Sequence, residues 1–378
     1  MAFTFVMAGG GSGGHVLPAL AVARELRSRG HLAVFVGVRR GMEATLVPAE
    51  NFPIEWIETG ALKRVGWRQT LATLAGLPAG VWQAARILDR VRPNAVFSMG
   101  GYVAGPVLLA ALWKRIPVAM MEPNAVPGFT HRHLGRYAAR ALVSFEETAR
   151  WFPKGRTEVT GLPIREEFFA VPSKRLGAAV TILITGGSQG SQTLNRAAEE
   201  SWPLWKEKWK KGAVRVIHQT GARMYDELAA RFRESGVEGE ISPFIANMPR
   251  AFAEADLVVS RAGMGAVSEI AAAGKPSILV PFPGASDDHQ LHNAQAMEKA
   301  GAARLVLDRK MNGAKLVEEV ERLASDTAAL EKMSVAARAF AKPGAARRAA
   351  EILESLASGG EAARELGIDR ERESRNNT

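Results

Sequence analysis

The sequence predicts an α/β protein of two doubly wound domains, each built around a parallel sheet. Two observations carry this prediction. Short apolar runs typical of buried strands alternate with stretches of helical periodicity over residues 3–307, which is the pattern of parallel strands covered by helices. A glycine cluster also follows the first strand of each half, at 9–14 and again at 186–190. This repeated opening indicates two domains of the same architecture.

The predicted elements follow one another in the same order in both halves. In the first half, strands are predicted at 3–8, 32–38, 54–57, 95–98, 118–121 and 141–145. In the second half, strands are predicted at 181–185, 214–218, 241–244, 257–260, 277–280 and 304–307, and helices from about 192 and at 222–233, 265–273 and 289–300. The strand predictions rest on short apolar runs and the helix predictions on a 3.6-residue period.

Proline and glycine interrupt this periodicity between 161 and 179, which predicts the linker there. We therefore expect an N-terminal domain at 1–162 and a C-terminal domain at 163–343, with their parallel sheets facing across a cleft. A separate helix is predicted at 344–357. The tail at 358–378 is mostly charged and has almost no bulky apolar residues, so we expect it to be disordered or loosely helical.

The composition limits the compartment and the classes of partner. The 378 residues contain no cysteine, which excludes disulfides and thiolate chemistry and favours a reducing compartment, the cytoplasm by default. No signal segment and no long uncharged apolar stretch is found in the sequence. The net charge of +10 suits nucleic acid, anionic lipid or a phosphorylated substrate.

The sequence lacks the motifs that several other classes of function require. The basic residues are scattered and form no aromatic-basic recognition motif, so no nucleic-acid partner is expected. No H-E-x-x-H, G-x-S-x-G or His/Asp cluster at metal-ligand spacing is present. We therefore expect catalysis without a metal and without a serine nucleophile.

Each glycine cluster lies where a strand ends and a helix begins, so backbone N–H groups and the positive helix end can face a phosphate. Gly9, Gly11 and Gly14 also satisfy G-x-G-x-x-G, the pattern of a dinucleotide-binding dehydrogenase. That function calls for an acid after the second strand, where this sequence has Arg39 and Arg40. These arginines would suit only a cofactor with a 2′-phosphate.

His15 ends the first glycine cluster at the start of a helix and is the leading candidate for a general base. A helix N-terminus lowers the pKa of an imidazole and so favours the neutral form that a base requires. A purely structural histidine remains the alternative.

Glu269 is the leading candidate for binding a ribose. It lies in the first turns of a helix that follows the strand at 257–260, at the sheet edge where such folds bind ligands. The alternative is a carboxylate that only stabilises the positive helix end.

Five segments taken together resemble one family. They are G-G-G-S-G-G-H at 9–15, M-G-G-Y-V-A-G-P at 99–106, G-G-S-Q-G-S at 186–191, R-A-G-x-x-x-V-S-E at 261–269 and D-x-Q-x-x-N-A at 288–294. In this order and spacing they resemble the lipid II-forming peptidoglycan N-acetylglucosaminyltransferases of glycosyltransferase family 28, the MurG-type enzymes. The resemblance covers the chain from residue 8 to about 300.

The resemblance implies a GT-B fold and an inverting transfer of GlcNAc. The donor would be UDP-GlcNAc, and the acceptor would be the 4-hydroxyl of the muramoyl sugar in undecaprenyl-diphosphate-MurNAc-pentapeptide, or lipid I. The product would be lipid II, and neither a cofactor nor a metal would be required. The enzyme would act as a peripheral protein at the cytoplasmic face of the plasma membrane.

The resemblance also implies roles for individual residues. His15 would be the catalytic base and Glu122 would support catalysis. The acceptor would contact Gly11, Gly101 and Tyr102. The donor would be bound by Ser12, Gly13, Gly14, Asn124, Arg165, Ser188, Ile245, Met264, Gly265, Ala266, Val267, Ser268, Glu269 and Gln290, with uracil held by the backbone of Ile245, the ribose by Glu269 and the GlcNAc hydroxyls by Gln290.

The sequence departs from the usual family pattern at two places. Met121 and Pro123 stand where His and Gln are usual on either side of Glu122, and His289 replaces the first of two adjacent glutamines. We expect donor binding to survive with altered detail, because Glu122, Asn124 and Gln290 are retained.

An anionic membrane surface is the remaining expected partner, through the N-terminal domain. Apolar residues, including Trp67 and Trp82, mix with Lys and Arg over 61–92, as in an interfacial helix. An ordinary core helix with a solvated face is the alternative.

Three other enzymes fit the two-domain plan. They are a UDP-sugar 2-epimerase, a glycolipid glycosyltransferase with another acceptor and an NADP-dependent oxidoreductase.

Overall fold

The computed structural model describes residues 1–58, 67–173, 177, 179–209 and 212–365. The chain divides into two compact units. Met1–Ile164, together with the segment that begins at Gly344, forms the first unit, and Arg165–Pro343 forms the second. Each unit contains one parallel sheet.

The first unit is built on a seven-stranded parallel sheet of order β3-β2-β1-β4-β5-β6-β7. Its strands are β1 Thr4–Gly9, β2 Leu32–Gly37, β3 Ile54–Trp56, β4 Ala95–Gly100, β5 Val118–Glu122, β6 Arg140–Val143 and β7 Thr157–Val159. Its helices up to residue 134 are α1 Gly13–Ser28, α2 Glu43–Ala49, α3 Trp67–Val91, α4 Ala104–Trp113 and α5 Phe129–Leu134. The strand order reverses between β1 and β4, so the loops after these two strands meet at the edge where α/β folds bind ligands.

The second unit is built on a six-stranded parallel sheet of order β10-β9-β8-β11-β12-β13. Its strands are β8 Val180–Thr185, β9 Val214–Gln219, β10 Glu238–Ser242, β11 Leu257–Ser260, β12 Ser277–Leu279 and β13 Arg304–Leu305. Its helices are α6 Gln192–Lys208, α7 Tyr225–Ser235, α8 Met248–Glu254, α9 Met264–Ala273, α10 His289–Lys299, α11 Gly313–Ala324 and α12 Thr327–Phe340. The order reverses between β8 and β11, as it does between β1 and β4 in the first unit.

The central strands are buried on both faces, which explains why their sequences are continuous apolar runs. In β8 all six residues are buried, and in β4 all six are as well. Ser191, Asn247, Asn312 and Asp326 begin four helices of the second unit by accepting a hydrogen bond from the N–H three residues later. Such caps each stabilise a helix by about 1 kcal/mol.

Two of the edge strands depart from the predictions, whereas the edge strand β3 lies within the predicted 54–57. The strand β7 is absent from the predictions, and β10 begins and ends earlier than the predicted 241–244, so that Phe244 lies after the strand. Both are edge strands. An edge strand is half solvated, so charged residues such as Glu158 and Glu240 take the place of the apolar run that reveals a central strand.

The C-terminal helix, α13 Ala345–Glu365, belongs to the first unit and packs on α1. Arg29 of α1 forms an ion pair with Glu354 of α13 at 3.0 Å. The helix extends past the predicted end at 357, which corrects that boundary, and 358–365 are helical, one of the two expectations for the tail. Helix-favouring Ala, Glu and Arg residues on both sides of the two glycines sustain it. The rest of the predicted tail, 366–378, lies outside the described residues.

His218 is a buried histidine in β9 that makes the stability of the second unit depend on pH. Its ring is 1% exposed, its Nε2 lies 3.0 Å from Oδ1 of Asn195, and its Nδ1 has no hydrogen-bond partner among the described residues. Burial lowers the pKa of His218 to about 3. Because the pKa is lower in the folded state, the unfolded chain takes up the proton first when the pH falls below about 6.5.

We expect the free energy of unfolding of the wild type to fall by about 1.4 kcal/mol between pH 7.5 and 5.5 through this group alone. The loss continues down to about pH 3 and then levels off. His218→Gln keeps an N–H donor toward Asn195 but does not titrate, so its unfolding should lack this component. Urea titrations of both proteins at the two pH values measure the difference. Equal pH dependence in the two proteins would contradict the assignment.

Candidate active site

The first glycine loop joins β1 to α1 and carries His15 on the first turn of the helix. The carbonyl of Ser12 accepts hydrogen bonds from the N–H groups of His15 and Val16, both at 3.1 Å, which starts the helix. The hydroxyl of Ser12 lies 3.1 Å from Nδ1 of His15. The His15 ring is half-buried, while Ser12 and Gly14 are exposed. The geometry orients the imidazole through Nδ1, so Nε2 is the nitrogen suited to act on a substrate.

The loop after β4 packs directly on the first glycine loop. Gly101 has a φ of +80°, and a Cβ on it would lie 2.7 Å from the Gly10 carbonyl oxygen and 3.5 Å from Nδ1 of His15. Gly11 has a φ of +93°, and a Cβ there would lie 2.5 Å from the Tyr102 ring. Glycine is therefore required at both positions, for the backbone conformation and for the close approach. These contacts bring the three predicted acceptor residues together around His15.

Glu43, the first residue of α2, lies beneath this loop, and the sequence analysis did not single it out. Its side chain is fully buried. The N–H of Gly11 donates to Oε2 of Glu43 at 2.8 Å, and the N–H of Val38 donates to Oε1 at 3.1 Å. Burial, and secondly the negative charge of Glu43, raise the pKa of the Tyr102 phenol, while Arg40 acts in the opposite direction. Tyr102 is therefore a hydrogen-bond donor at neutral pH.

Glu122 ends β5 and is 2% exposed, so its carboxylate is not placed to touch a substrate. Oε1 accepts hydrogen bonds from the backbone N–H and the side-chain amide of Asn124, both at 3.0 Å. Oε2 accepts from the Gly128 N–H at 3.2 Å and lies 3.0 Å from Nδ1 of His131. Burial acts to raise the pKa of Glu122, but the bonds from His131 and Asn124 outweigh it and lower the pKa. Glu122 thus orients Asn124.

Ser98, His131 and Glu122 have the connectivity of a hydrolase triad. The Ser98 hydroxyl lies 3.0 Å from Nε2 of His131, whose Nδ1 faces Glu122. All three side chains are buried, and the Ser98 oxygen also accepts the N–H of Gly100 at 3.2 Å. A nucleophile must be accessible to its substrate, so this arrangement ties the β4 loop to the β5 loop and is not a hydrolytic site. Met121, which stands where the family usually has His, has a fully buried side chain in the first unit.

The second glycine loop joins β8 to α6 and presents Ser188. Gly187, Ser188 and Gln189 are exposed, and the hydroxyl of Ser191 accepts the Leu194 N–H to begin the helix. Gly190 lies in direct contact with the Thr220 backbone, with no room for a Cβ. The exposed loop and the positive end of α6 form an anion-binding arrangement.

Gln219 connects this loop to the segment that carries Ile245, and the sequence analysis missed it. The amide of Gln219 donates to the Gly187 carbonyl at 2.9 Å and to the Thr185 hydroxyl at 3.3 Å. Its Oε1 accepts the N–H of Ile245 at 2.8 Å. Gln219 therefore engages the Ile245 N–H, and the Ile245 carbonyl is the backbone acceptor at the position predicted to hold uracil.

Glu269 lies in the second turn of α9, and Arg165 approaches it. The distance from a guanidinium nitrogen of Arg165 to Oε1 of Glu269 is 3.6 Å. Burial raises the pKa of Glu269 to about 7, although Arg165 partly opposes the rise. A carboxyl group with this pKa at the carboxyl end of a sheet is a candidate ligand-binding group.

The residues 264–268, predicted to bind the donor, lie on the first turns of α9, which begins at Met264. Met264 and Val267 point into the core and are 8% and 2% exposed, whereas Gly265, Ala266 and Ser268 are half-buried. The helix predicted at 265–273 is confirmed, and Gly263 is the residue before it. A ligand can reach the backbone of the first turn but not the two core side chains.

Gln290 lies on the first turn of α10, next to the start of α9. Its Oε1 accepts the N–H of Phe282 at 3.0 Å, and its Nε2 lies 3.9 Å from the position of a Cβ on Gly263. Asn293 of the same helix donates from its side chain to the Ala262 carbonyl at 3.2 Å. The Nε2 amide of Gln290 is thus directed toward the α9 start.

The predicted site residues form one set in each unit. In the first unit, the set consists of Gly11, Ser12, Gly13, Gly14, His15, Gly101, Tyr102, Glu122 and Asn124. In the second unit, it consists of Arg165, Ser188, Ile245, Met264, Gly265, Ala266, Val267, Ser268, Glu269 and Gln290. Within the described part of the chain, no group of three or more His, Asp or Glu side chains is arranged to hold a metal ion.

Two family models match the chain. The model described as the glycosyltransferase family 28 N-terminal domain matches residues 5–143, and the C-terminal domain of the same family matches 181–349. A curated protein of Solibacter usitatus is 60% identical over 356 residues, which are 94% of this chain and 97% of that protein. Its name is UDP-N-acetylglucosamine--N-acetylmuramyl-(pentapeptide) pyrophosphoryl-undecaprenol N-acetylglucosamine transferase.

Solved structures give the same result for the fold. MurG of Acinetobacter baumannii has a TM-score of 0.77 at 32% identity, covering 93% of this chain and 99% of that chain. The UDP-GlcNAc 2-epimerase of Neisseria meningitidis, bound to UDP-GlcNAc, has a TM-score of 0.64 at 14% identity, covering 94% of this chain and 100% of that chain. The second likeness shows the fold alone. Together with the two parallel sheets, these matches confirm the predicted fold class.

Proposed function

The chain belongs to glycosyltransferase family 28, and from this premise we propose that it transfers GlcNAc from UDP-GlcNAc to lipid I to form lipid II in peptidoglycan biosynthesis. The observation that carries this function is the 60% identity, over 94% of the chain, to a transferase named for this reaction. The first site set lies within the matched residues 5–143, and the second, apart from Arg165, lies within 181–349. The transfer requires no redox or group-carrying cofactor.

The second unit is the donor side of the reaction. Ser188 and the positive end of α6 suit the diphosphate, and Arg165, with about half of its side chain exposed, suits the negative charge that develops when UDP leaves. Glu269 accepts hydrogen bonds from the ribose diol, and the Nε2 of Gln290 donates to a GlcNAc hydroxyl. The Ile245 carbonyl accepts the N3–H of uracil, because Gln219 already engages the Ile245 N–H.

The first unit is the acceptor side of the reaction and contributes the base. Nε2 of His15 takes the proton of the muramoyl 4-hydroxyl, while that oxygen forms a bond to C1 of GlcNAc and the bond from C1 to the UDP oxygen breaks. Attack opposite the leaving group inverts C1 from α to β. Ser12 holds Nδ1 of His15, and the Tyr102 phenol donates a hydrogen bond to the acceptor. Asn124, oriented by Glu122, contacts the donor sugar.

Release of UDP with and without a short-chain lipid I analogue tests this function. We expect UDP release to require the analogue and the mixture without it to contain unchanged UDP-GlcNAc. Conversion of UDP-GlcNAc to its 2-epimer in the absence of an acceptor would show that the chain is an epimerase. Heat stabilisation by NADP but not by UDP would favour the oxidoreductase.

An anionic membrane surface is the further partner that we propose, because the lipid chain of the acceptor lies in a bilayer. No helix among the described residues could span a membrane. Two exposed tryptophans on packed helices of the first unit support an interfacial contact. Trp82 of α3 is 58% exposed with Arg86 over its ring at 4.8 Å, and Trp113 of α4 is 72% exposed with Lys114 at 5.6 Å. Such aromatic and basic pairs suit the headgroup region.

The rest of the predicted interfacial segment divides into three parts. Residues 61–66 lie outside the described residues, and the side chains at 67–76 are not described. Further along α3, Ala84, Ala85, Ile87 and Leu88 are buried in the core of the unit. The C-terminal part of α3 is therefore a core helix whose outer face carries Trp82. We place the protein at the cytoplasmic face of the plasma membrane, because its nucleotide donor is a cytoplasmic metabolite.

We expect Trp82→Ser combined with Trp113→Ser to weaken binding to vesicles containing anionic phosphatidylglycerol by at least about tenfold. Flotation of the protein with these vesicles and with neutral phosphatidylcholine vesicles measures the effect. Val335→Ser is the matched control, because it removes an exposed apolar side chain from the second unit. Equal flotation of the double variant and this control would contradict the assigned surface.

A further inference from the structure

Glu43 is a buried carboxylate that the proposed reaction does not use. Its side chain has no exposed surface, yet it lies one hydrogen bond away from the loop that carries His15. Burying a carboxylate is costly unless hydrogen bonds replace its hydration. Here two backbone N–H groups, those of Gly11 and Val38, do so, one for each carboxylate oxygen. Charge-assisted bonds of this kind are stronger than bonds between neutral groups.

Three glycines leave the space that the carboxylate fills. A Cβ on Gly10 would lie 2.5 Å from Oε1 of Glu43, and a Cβ on Gly37 would lie 2.6 Å from its Cγ. A Cβ on Gly41 would collide with the carboxylate itself. Gly10 directly follows β1, and Gly37 is the last residue of β2. These two strands are adjacent in the sheet. The backbone at these three glycines therefore leaves room for the Glu43 side chain, which a larger residue at any of them would contact.

The bond to Glu43 determines which way the first glycine loop faces. Because the Gly11 N–H points inward to the carboxylate, it is not directed at a substrate phosphate. The Tyr102 ring also packs close to Gly11, where a Cβ would lie 2.5 Å from it. The next residue, Ser12, contacts Nδ1 of His15 through its hydroxyl and starts α1 through its carbonyl. Glu43 is thus separated from His15 by two short, well-defined links, Gly11 and Ser12.

We propose that Glu43 is a positioning residue for the transfer reaction: by binding the Gly11 amide it fixes Ser12, and through Ser12 the His15 ring, in the orientation that deprotonates the acceptor hydroxyl. The inference rests on the proposed function, in which His15 is the base. The same bond engages the Gly11 N–H, so this amide is not the group that binds a substrate phosphate. Glu43 itself never touches the substrate.

Two variants disturb this contact by different routes. Glu43→Gln keeps the shape but replaces one acceptor oxygen by an amide donor, which opposes one of the two N–H groups. Gly41→Ala displaces the carboxylate from outside the glycine loop and has no positive φ to strain. We expect both variants to lower kcat by about 10²-fold, the effect of a displacement of about 1 Å in a catalytic group. The KM for UDP-GlcNAc should stay within about twofold, because the residues assigned to the nucleotide lie in the second unit and are untouched.

Glu50→Gln is the matched control. It makes the same chemical change at the other end of α2, where the carboxylate pairs with Arg24 at the surface. We expect wild-type kcat and KM for this variant. Circular dichroism of every variant gives the folded fraction to which kcat is normalised. If Glu43→Gln does not fold, Gly41→Ala alone tests the positioning role of Glu43.

A second measurement does not depend on turnover. In protein labelled with ¹³C-histidine, the His15 ring signal is the one that His15→Gln removes from the seven histidines. We expect this signal to shift in Glu43→Gln and Gly41→Ala and to stay in place in Glu50→Gln. Absence of transfer by the wild type would contradict the proposed function. In that case the His15 ring signal would still show whether Glu43 positions the His15 ring. An unmoved signal with unchanged kcat, or a parallel loss of kcat and donor affinity, would overturn the positioning role.

Discussion

Replacing His15 with alanine should lower kcat by about 10³-fold, because general-base catalysis contributes about 10² to 10⁴ to such a step. The half-buried ring has Nδ1 held by Ser12, and in the proposed reaction Nε2 takes the proton of the acceptor hydroxyl. The substitution should leave stabilisation by UDP unchanged, since the residues assigned to the nucleotide belong to the second unit. Steady-state transfer and thermal unfolding with UDP measure the two quantities.

His133→Ala is the control for this change. His133 lies on the exposed face of α5 in the same unit, where its Nδ1 faces the Phe129 carbonyl at 2.8 Å. Its loss should leave kcat unchanged. A His15→Ala enzyme that retains more than about a tenth of wild-type kcat would show that another group takes the proton.

The second large effect is expected at Glu269. Glu269→Gln should raise the KM for UDP-GlcNAc by about 10- to 100-fold, because a hydrogen bond to a charged group contributes about 1.5 to 3 kcal/mol. Burial raises the pKa of this carboxyl to about 7, and the ribose diol needs the ionised form as its acceptor. Donor affinity of the wild type should therefore fall about tenfold from pH 8 to pH 6.

The variant provides the test of the pH dependence. Glutamine does not titrate, so UDP affinity of Glu269→Gln should be flat between pH 6 and 8. Isothermal titration calorimetry with UDP at pH 6 and pH 8 measures the UDP affinity of the wild type and of the variant. Glu254→Gln, which changes a carboxylate paired with Arg215 elsewhere in the second unit, should behave as the wild type. A wild-type affinity that does not change with pH would contradict an ionised Glu269 as the ribose ligand.

The sequence predicts the central strands of each sheet well, but among the edge strands it predicts β3, misses β7 and displaces β10. Strands such as β8 and β11 are buried on both faces and read as apolar runs. Edge strands such as β7 and β10 carry charged residues, because one side meets solvent. The end of α13 is also missed, since composition alone distinguishes poorly between an exposed helix and a disordered tail.

The site is predictable where chemistry is tied to a local motif. His15, Ser188 and Glu269 each follow a strand or begin a helix, so their positions at the sheet edge follow from the fold. Glu43 and Gln219 carry no such signal. In the sequence Glu43 reads as an ordinary acid at a helix start, and only the packing of α2 under the first glycine loop buries it. Gln219 reads as the end of a strand, and its contacts to Gly187 and Ile245 arise from tertiary structure.

Transfer of radiolabelled GlcNAc from UDP-GlcNAc to a short-chain lipid I analogue tests the central claim most directly. The label should move into the organic phase as a product with a β-linked GlcNAc on the muramoyl 4-oxygen, and this transfer should depend on His15 and Glu269. Label that stays in the aqueous phase, with a protein that binds UDP and an intact acceptor, would contradict the claim.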